Sequence, residues 1–140
     1  MPGYSSTPLL KKLGLKSGAR VFTRRAPDDY ARLLGSLPQG LRISSRLRGT
    51  VDVVHVFTAR RRELERELPV LMQRIRPEGM IWVSWPKKSS GVASEITEDT
   101  IREVALPLGL VDIKVCAVDE VWSGLKLVIR KELRSKTPCQ

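Results

Sequence analysis

Apolar positions along the chain change period several times, and each change marks an element. Leu9, Leu10 and Leu13 share one face that Gly14 closes, so a short helix is expected over Leu9–Leu13. After a Ser17-Gly18 turn, the alternation in ARVFTRR predicts a strand over Arg20–Arg24. Pro27 opens a second helix. Its missing N–H is harmless at the first helical position, Asp28 and Asp29 complement the positive helix end, and Tyr30, Leu33 and Leu34 form the apolar face before Gly35. The brief segment Leu41–Ser44 reads as strand two. VDVVHVF, Val51–Phe57, is nearly all apolar without alternation, which marks a strand buried on both faces at the centre of a parallel sheet. Leu64, Leu68, Leu71, Met72 and Ile75 recur at helical spacing over Arg61–Arg76, where Pro69 should kink the helix and Pro77-Glu78-Gly79 end it. MIWVSW reads as strand four. Thr97, Glu98 and Asp99 then start a helix whose inner face is Ile101, Val104, Ala105 and Leu108, and Gly109 stops it. LVDIKVCAV and VWSGLKLVIRK, joined at Asp119-Glu120, read as an antiparallel hairpin with Gly124 at a bulge.

Strand–helix alternation with two-sided strands implies right-handed crossovers and helices on both faces of a mostly parallel sheet. The expected fold class is α/β, a three-layer Rossmann-like sandwich of about six strands that ends in an antiparallel hairpin. The 140 residues suit one domain over 1–134, with a loose arm at 1–8 and a flexible tail at 135–140. An apolar content of 41% supplies a core without a metal or disulfide staple. Charge alters the picture more. Twenty-five Lys and Arg against fifteen Asp and Glu leave +10, and residues 1–62 hold 13 basic and 3 acidic groups while 63–140 hold 12 of each. The excess lies in the first half and favours anionic partners. Cys116 sits in an apolar run and Cys139 in the polar end, with no partner at metal-ligand spacing, which suits a reducing cytoplasm. No stretch has the length of a signal or membrane segment, so a soluble protein without a membrane partner is expected.

In open α/β sheets ligands bind beyond the carboxyl ends of the parallel strands. The loops there are basic: Arg24 and Arg25 follow strand one, Arg46 and Arg48 strand two, Arg60, Arg61 and Arg62 strand three, and Lys87 and Lys88 strand four. Together they form a candidate anion site; the plain alternative is solvated surface charge. In SWPKKSSG, Trp85 is placed to stack on a base or ring, Lys87 and Lys88 to meet phosphate, and Ser89 and Ser90 to donate hydrogen bonds. The alternative is that Trp85 caps the core and Pro86 and Gly91 shape a connection. Asp119, Glu120 and Ser123 make a second polar group at the hairpin, suited to acid–base work, to pairing with an arginine, or simply to a turn. His55 is the single histidine, without a triad or metal partner at recognisable spacing, and reads as core. Cys116 reads as an inert small hydrophobe. GxxxxGK[ST], HExxH, GxSxG and CxxC are absent, so no catalytic residue and no metal ligand is assigned.

The parallel series closed by an antiparallel hairpin, with IRPEGMIWVSW within it, resembles the class I S-adenosylmethionine-dependent methyltransferase fold, shortened by about one strand–helix unit. Pro77, Glu78 and Gly79 stand where that family has a Pro-Gly turn before a core strand. The resemblance implies a strand order of 2-1-3-4-6-5 and names S-adenosylmethionine as the one cofactor to test. Three features depart from it. TRRAPDD after strand one has no glycine, the acid expected after strand two is replaced by Ser44–Arg48, and Thr58-Ala59-Arg60 lacks the Asp/Asn-Pro-Pro-aromatic motif. TPLLKKLGLKSGARV, GMIWVSWPKKSSGV and GLVDIKVCAVDEVWSGLKLVIRK further resemble a family of small bacterial proteins known as a domain of unknown function, which implies a bacterial cytoplasmic setting. The expected function is a non-catalytic module, without a cofactor, that holds a phosphorylated or nucleic-acid ligand at the C-terminal edge of the parallel strands. The alternatives are a reduced S-adenosylmethionine-dependent methyltransferase, or a structural protein that pairs with a partner or second copy through an exposed sheet edge.

Overall fold

Six strands form one mixed sheet in the order β2-β1-β3-β4-β6-β5, as expected. The computed structural model describes residues 8–134. The expected arm, apart from Pro8, and the expected tail from Ser135 with Cys139 lie outside the described residues. The strands are β1 (Arg20–Arg24), β2 (Arg42–Ser44), β3 (Val51–Phe57), β4 (Ile75–Pro86), β5 (Leu110–Ala117) and β6 (Trp122–Ile129). β2, β1, β3 and β4 run parallel; β6 is antiparallel to β4 and β5 to β6.

Two helical layers cover the sheet because each strand of the centre is apolar on both faces. On one side α1 (Leu9–Leu13) and α2 (Tyr30–Leu34) bury Leu9, Leu13, Tyr30 and Leu34 against Val21, Val53, Phe57 and Trp82. On the other, α3 (Arg61–Met72) and α4 (Glu98–Ala105) pack Leu64, Leu68, Leu71, Ile101 and Val104 on Val54, Val56, Ile81 and Val83. α4 starts where expected, since Thr97 accepts the Thr100 N–H at 3.2 Å and Thr100 Oγ1 accepts the Thr97 N–H at 3.1 Å. A last helical turn, α5 (Lys131–Arg134), follows β6, which ends at Ile129, two residues before the expected strand end at Lys131.

Five local expectations need correction. α2 begins at Tyr30, with Asp29 as its N-cap, rather than at Pro27, because the chain from Pro27 first makes a turn in which the Tyr30 N–H donates to the Pro27 carbonyl at 3.0 Å. β2 is three residues long and begins after Leu41. α3 stops at Met72, because Pro69 falls in its final turn and the chain from Ile75 already pairs with β3. Pro77-Glu78-Gly79 therefore does not end the helix. It belongs to β4, where the register jumps from Val51↔Ile75 to Val53↔Met80 and β4 bulges outward. Gly79 permits that bulge, as a Cβ there would lie 2.8 Å from the Asp52 carbonyl oxygen. The irregularity of the hairpin lies at Asp112/Lys114 of β5, and Gly124 pairs regularly with Ser84 and Cys116. Its missing side chain instead leaves room for Ser84 Oγ, 3.2 Å from where a Cβ would stand.

The crossover from β2 to β3, residues 45–50, contains no helix. It must pass on the α3 side of the sheet, since a right-handed return from β2 over β1 puts it opposite α2. That outer corner of the sheet is consequently covered by a loop alone. Among the described residues no helix is long and apolar enough to cross a membrane.

Candidate functional site

The chain leaves β1 toward β2 on one side and continues into β3 on the other, so the switch-point crevice of this sheet lies between the carboxyl ends of β1 and β3. Arg25 fills it. Its backbone is left-handed, φ +60°, the only such non-glycine residue among those described. Its Nε donates to the Phe57 carbonyl at 2.8 Å, and its guanidinium forks onto Glu67 of α3, Nη1 to Oε2 at 2.9 Å and Nη2 to Oε1. Glu67 is only 8% exposed, and its hydrogen bond raises the Arg25 pKa against the opposing effect of burial. Arg24 also reaches Glu67, at 3.5 Å, and lies over the Phe22 ring.

Of the neighbouring cations, Arg61 is similarly engaged. The Arg61 N–H at the start of α3 donates to Glu95 Oε1 at 2.9 Å, so a carboxylate of the chain already occupies that positive helix end. The Arg61 side chain binds Glu65 at 2.9 Å and Glu103 at 2.6 Å. Arg60 and Arg62 line a cleft of about 480 Å³ that also contains Glu63, Glu65 and Glu95. Trp85 is 7% exposed and packed in the α3-side core, which leaves its ring no face for stacking. The Lys87 N–H donates to the Val121 carbonyl at 2.7 Å, and Ser90 Oγ donates to the Lys87 carbonyl at 2.6 Å. Lys88 and Ser89 are exposed on a 3-10 turn. At the hairpin Asp119 Oδ1 accepts the N–H groups of Val121 and Trp122, each at 2.8 Å, which is turn chemistry. Glu120 is exposed, and Ser123 sits in β6 between Trp85 and Ala117.

Arg46 belongs to a different place. With Arg48, Arg20 and Arg42 it lines a cleft of about 500 Å³ on the open corner of the sheet, together with Gly18, Val21, Gly40, Ser44 and Val51. Arg20 and Arg42 are register partners on β1 and β2. They project to the α3 side, because their neighbours Val21 and Ile43 pack with α1 and α2. The loop supplies the other two. Ser44 Oγ accepts the Arg46 N–H at 3.0 Å, Leu47 anchors on the core, and Arg74 Nη1 donates to the Gly49 carbonyl at 3.3 Å. Gly18 and Gly40 close the inner end in left-handed conformations, and a Cβ on Gly40 would stand 3.3 Å from Gly18 Cα. No carboxylate lines this cleft. The nearby Asp52 carboxylate is taken by the Arg20 N–H and by Arg76 Nε, both at 2.8 Å. Among the described residues, none of these four guanidiniums has an ion pair or side-chain hydrogen bond. Arg20 and Arg42 were not singled out from the sequence, because strand positions 22 residues apart become neighbours only through register.

His55 is core, as expected, yet it has partners that spacing did not reveal. Tyr30 OH lies 2.9 Å from Nδ1 and Ser84 Oγ 2.7 Å from Nε2. His55 and Ser84 are fully buried, and desolvation lowers the His55 pKa to about 3. A neutral ring with one donor and one acceptor nitrogen satisfies both hydroxyls, and burial keeps reactants away from it. No group of three side chains suited to a metal ion occurs among the described residues.

The cofactor implied by the resemblance can be tested on this geometry. A nucleoside cofactor in the switch-point crevice needs the space between β1 and β3 and a close backbone approach. Arg25, bonded to the Phe57 carbonyl and to Glu67, lies in the first, and the loop TRRAPDD offers no glycine for the second, so the residues present do not fit it as folded.

No protein-family model matches the chain, and no curated protein sequence does. Solved structures do resemble it. Magnesium protoporphyrin IX methyltransferase from Synechocystis with bound S-adenosylmethionine superposes with a TM-score of 0.57 at 12% identity, covering 88% of this chain and 74% of that one. A SAM-dependent methyltransferase from Aquifex aeolicus gives 0.57 at 15% identity, over 86% and 87% of the two chains. TrmN from Thermus thermophilus gives 0.55 at 12%, over 86% of this chain, which spans only 47% of that one. What the chain shares with all three is the class I methyltransferase-like fold, on a six-stranded sheet of the expected order.

Proposed function

We propose that the protein is a non-catalytic binding module that holds a phosphorylated anion in the cleft between Arg20, Arg42, Arg46 and Arg48. One observation carries this: four guanidiniums line one concavity with no counter-charge, whereas Arg24, Arg25 and Arg61 at the C-terminal edge are bound by Glu63, Glu65, Glu67 and Glu103. Like charges about 8 Å apart in water repel by roughly 0.5 kcal/mol per pair, a cost that a bound polyanion converts into attraction. The site thus moves from the expected C-terminal edge to the corner beside β2. Lys87, Lys88 and Ser89, beyond the end of β4, do not line this cleft. Its setting is the bacterial cytoplasm that the sequence resemblance implies.

The test is calorimetric titration with inorganic tripolyphosphate at low salt. Saturable one-site binding is expected for the natural chain, weakened at least tenfold in the Arg42→Ala/Arg46→Ala variant, since charge-assisted contacts contribute about 1.5–3 kcal/mol each. Equal binding by the two proteins would reject the cleft.

A second reading, a reduced S-adenosylmethionine-dependent methyltransferase, draws support from the fold likeness to the Synechocystis enzyme that binds that cofactor. It requires Arg25 to leave the crevice and break its bonds to Phe57 and Glu67.

A further inference from the structure

Resting on the anion-binding reading above, we propose that the ligand is a compact oligophosphate recognised by its phosphoryl groups alone, with neither a base nor a long nucleic-acid backbone contributing. Three features of the cleft lead there. First, its four cations converge from two sides, Arg20 and Arg42 from the sheet and Arg46 and Arg48 from the crossing loop, on one volume of about 500 Å³. Such a volume suits a small molecule, and the planar guanidinium fork suits tetrahedral phosphoryl oxygens. Second, no aromatic side chain lines it. Tyr30, Phe22, Phe57, Trp82 and Trp85 are buried, and Trp122 stands edge-on to Phe57 on the opposite side of the sheet, so among the described residues no ring is available to stack on a base.

Third, the cationic lining does not continue as a track. The adjoining cleft shares Gly18 and is lined by Asp52 and Glu78 beside Lys16. Carboxylates at that border oppose an extending phosphate backbone. In the other direction Arg24 and Arg25 are already committed to Glu67. A single strand or duplex needs stacking platforms, which the cleft lacks among the described residues, and Arg74, the cation beside the loop, is already bonded to the Gly49 carbonyl. A short chain of phosphoryl groups is matched along its whole length, with Ser44 and the backbone at Gly18 and Gly40 as neutral neighbours.

The test compares inorganic tripolyphosphate, ATP and a long oligothymidylate on the full chain at several salt concentrations. ATP should bind within about threefold of tripolyphosphate, because a stacked base would add roughly tenfold or more. The oligonucleotide should compete weakly, without the steep salt dependence of a backbone track. ATP binding tenfold tighter than tripolyphosphate overturns the charge-only recognition, and a tighter, steeply salt-dependent oligonucleotide overturns the compact ligand. Failure of the underlying reading looks different: no polyanion binds, or the Arg42→Ala/Arg46→Ala variant binds all three unchanged. Arg48→Gln, on the loop and away from strand pairing, provides the same comparison should the double variant lose its circular dichroism spectrum; it is expected to weaken tripolyphosphate at least fivefold, and unchanged affinity rejects the site.

Discussion

His55 sits at the middle of β3 with both ring nitrogens bonded and no exposed surface, so its neutral form is built into the sheet. An unfolded histidine titrates near 6.5, while the folded one is pushed down to about 3 by desolvation. Between those values the unfolded chain takes up a proton that the folded chain refuses. Stability is therefore expected to fall as pH drops from about 6.5 toward 3, by up to about 1.4 kcal/mol per pH unit. Urea denaturation from pH 7 to 4 reads this slope directly, and His55→Gln should flatten it; parallel curves for the two proteins would contradict a buried neutral imidazole. Arg25 teaches a related point. Its charge was visible in the sequence, but the carboxylate that claims it lies 42 positions away, beyond any local spacing rule. A cation in a loop becomes a ligand or a staple according to what the fold brings opposite it.

At the level of elements, β4 shows how one residue shapes a strand. Between Val51↔Ile75 and Val53↔Met80 the strand makes an outward excursion through Pro77 and Glu78, and Gly79 returns it under the Asp52 carbonyl. Ala at 79 would place its methyl 2.8 Å from that oxygen and 3.0 Å from the Arg76 carbonyl, both backbone atoms that do not yield easily. Gly79→Ala is expected to destabilise the fold by about 1–3 kcal/mol, measured as a lower denaturation midpoint at unchanged slope. A loss below about 0.3 kcal/mol would mean that the bulge relaxes freely. The helix and strand identities were legible because period and breakers are local: the all-apolar β3 and the Thr97 cap stood out in the sequence. The end of α3 was not, because Ile75 satisfies the helical period and only its pairing with Val51 claims it for the sheet.

Across the whole molecule, the sheet has the order and the fold of class I methyltransferases, while Arg25 spans its switch point to bond the Phe57 carbonyl and Glu67. Titration with S-adenosylmethionine and S-adenosylhomocysteine is the sharp comparison: with Arg25 bonded across β1 and β3, neither is expected to give saturable heat under conditions where tripolyphosphate does. Saturable one-site binding of either would establish that the Arg25–Glu67 link opens, and would favour the enzyme. The exposed Ile113 and Val115 on the edge strand β5 are separated by Lys114, a charge that blunts edge-to-edge pairing of sheets. The sequence by itself determined the order of elements, the buried strands and the basic excess of the first half, because each is written in local period, turn residues and composition. Only the tertiary structure decided which cations are free. Register set Arg20 beside Arg42, a helix-free crossover carried Arg46 and Arg48 over them, and α3 delivered glutamates to Arg24 and Arg25. Charge is counted along the chain, but its neutralisation is a matter of distance in space.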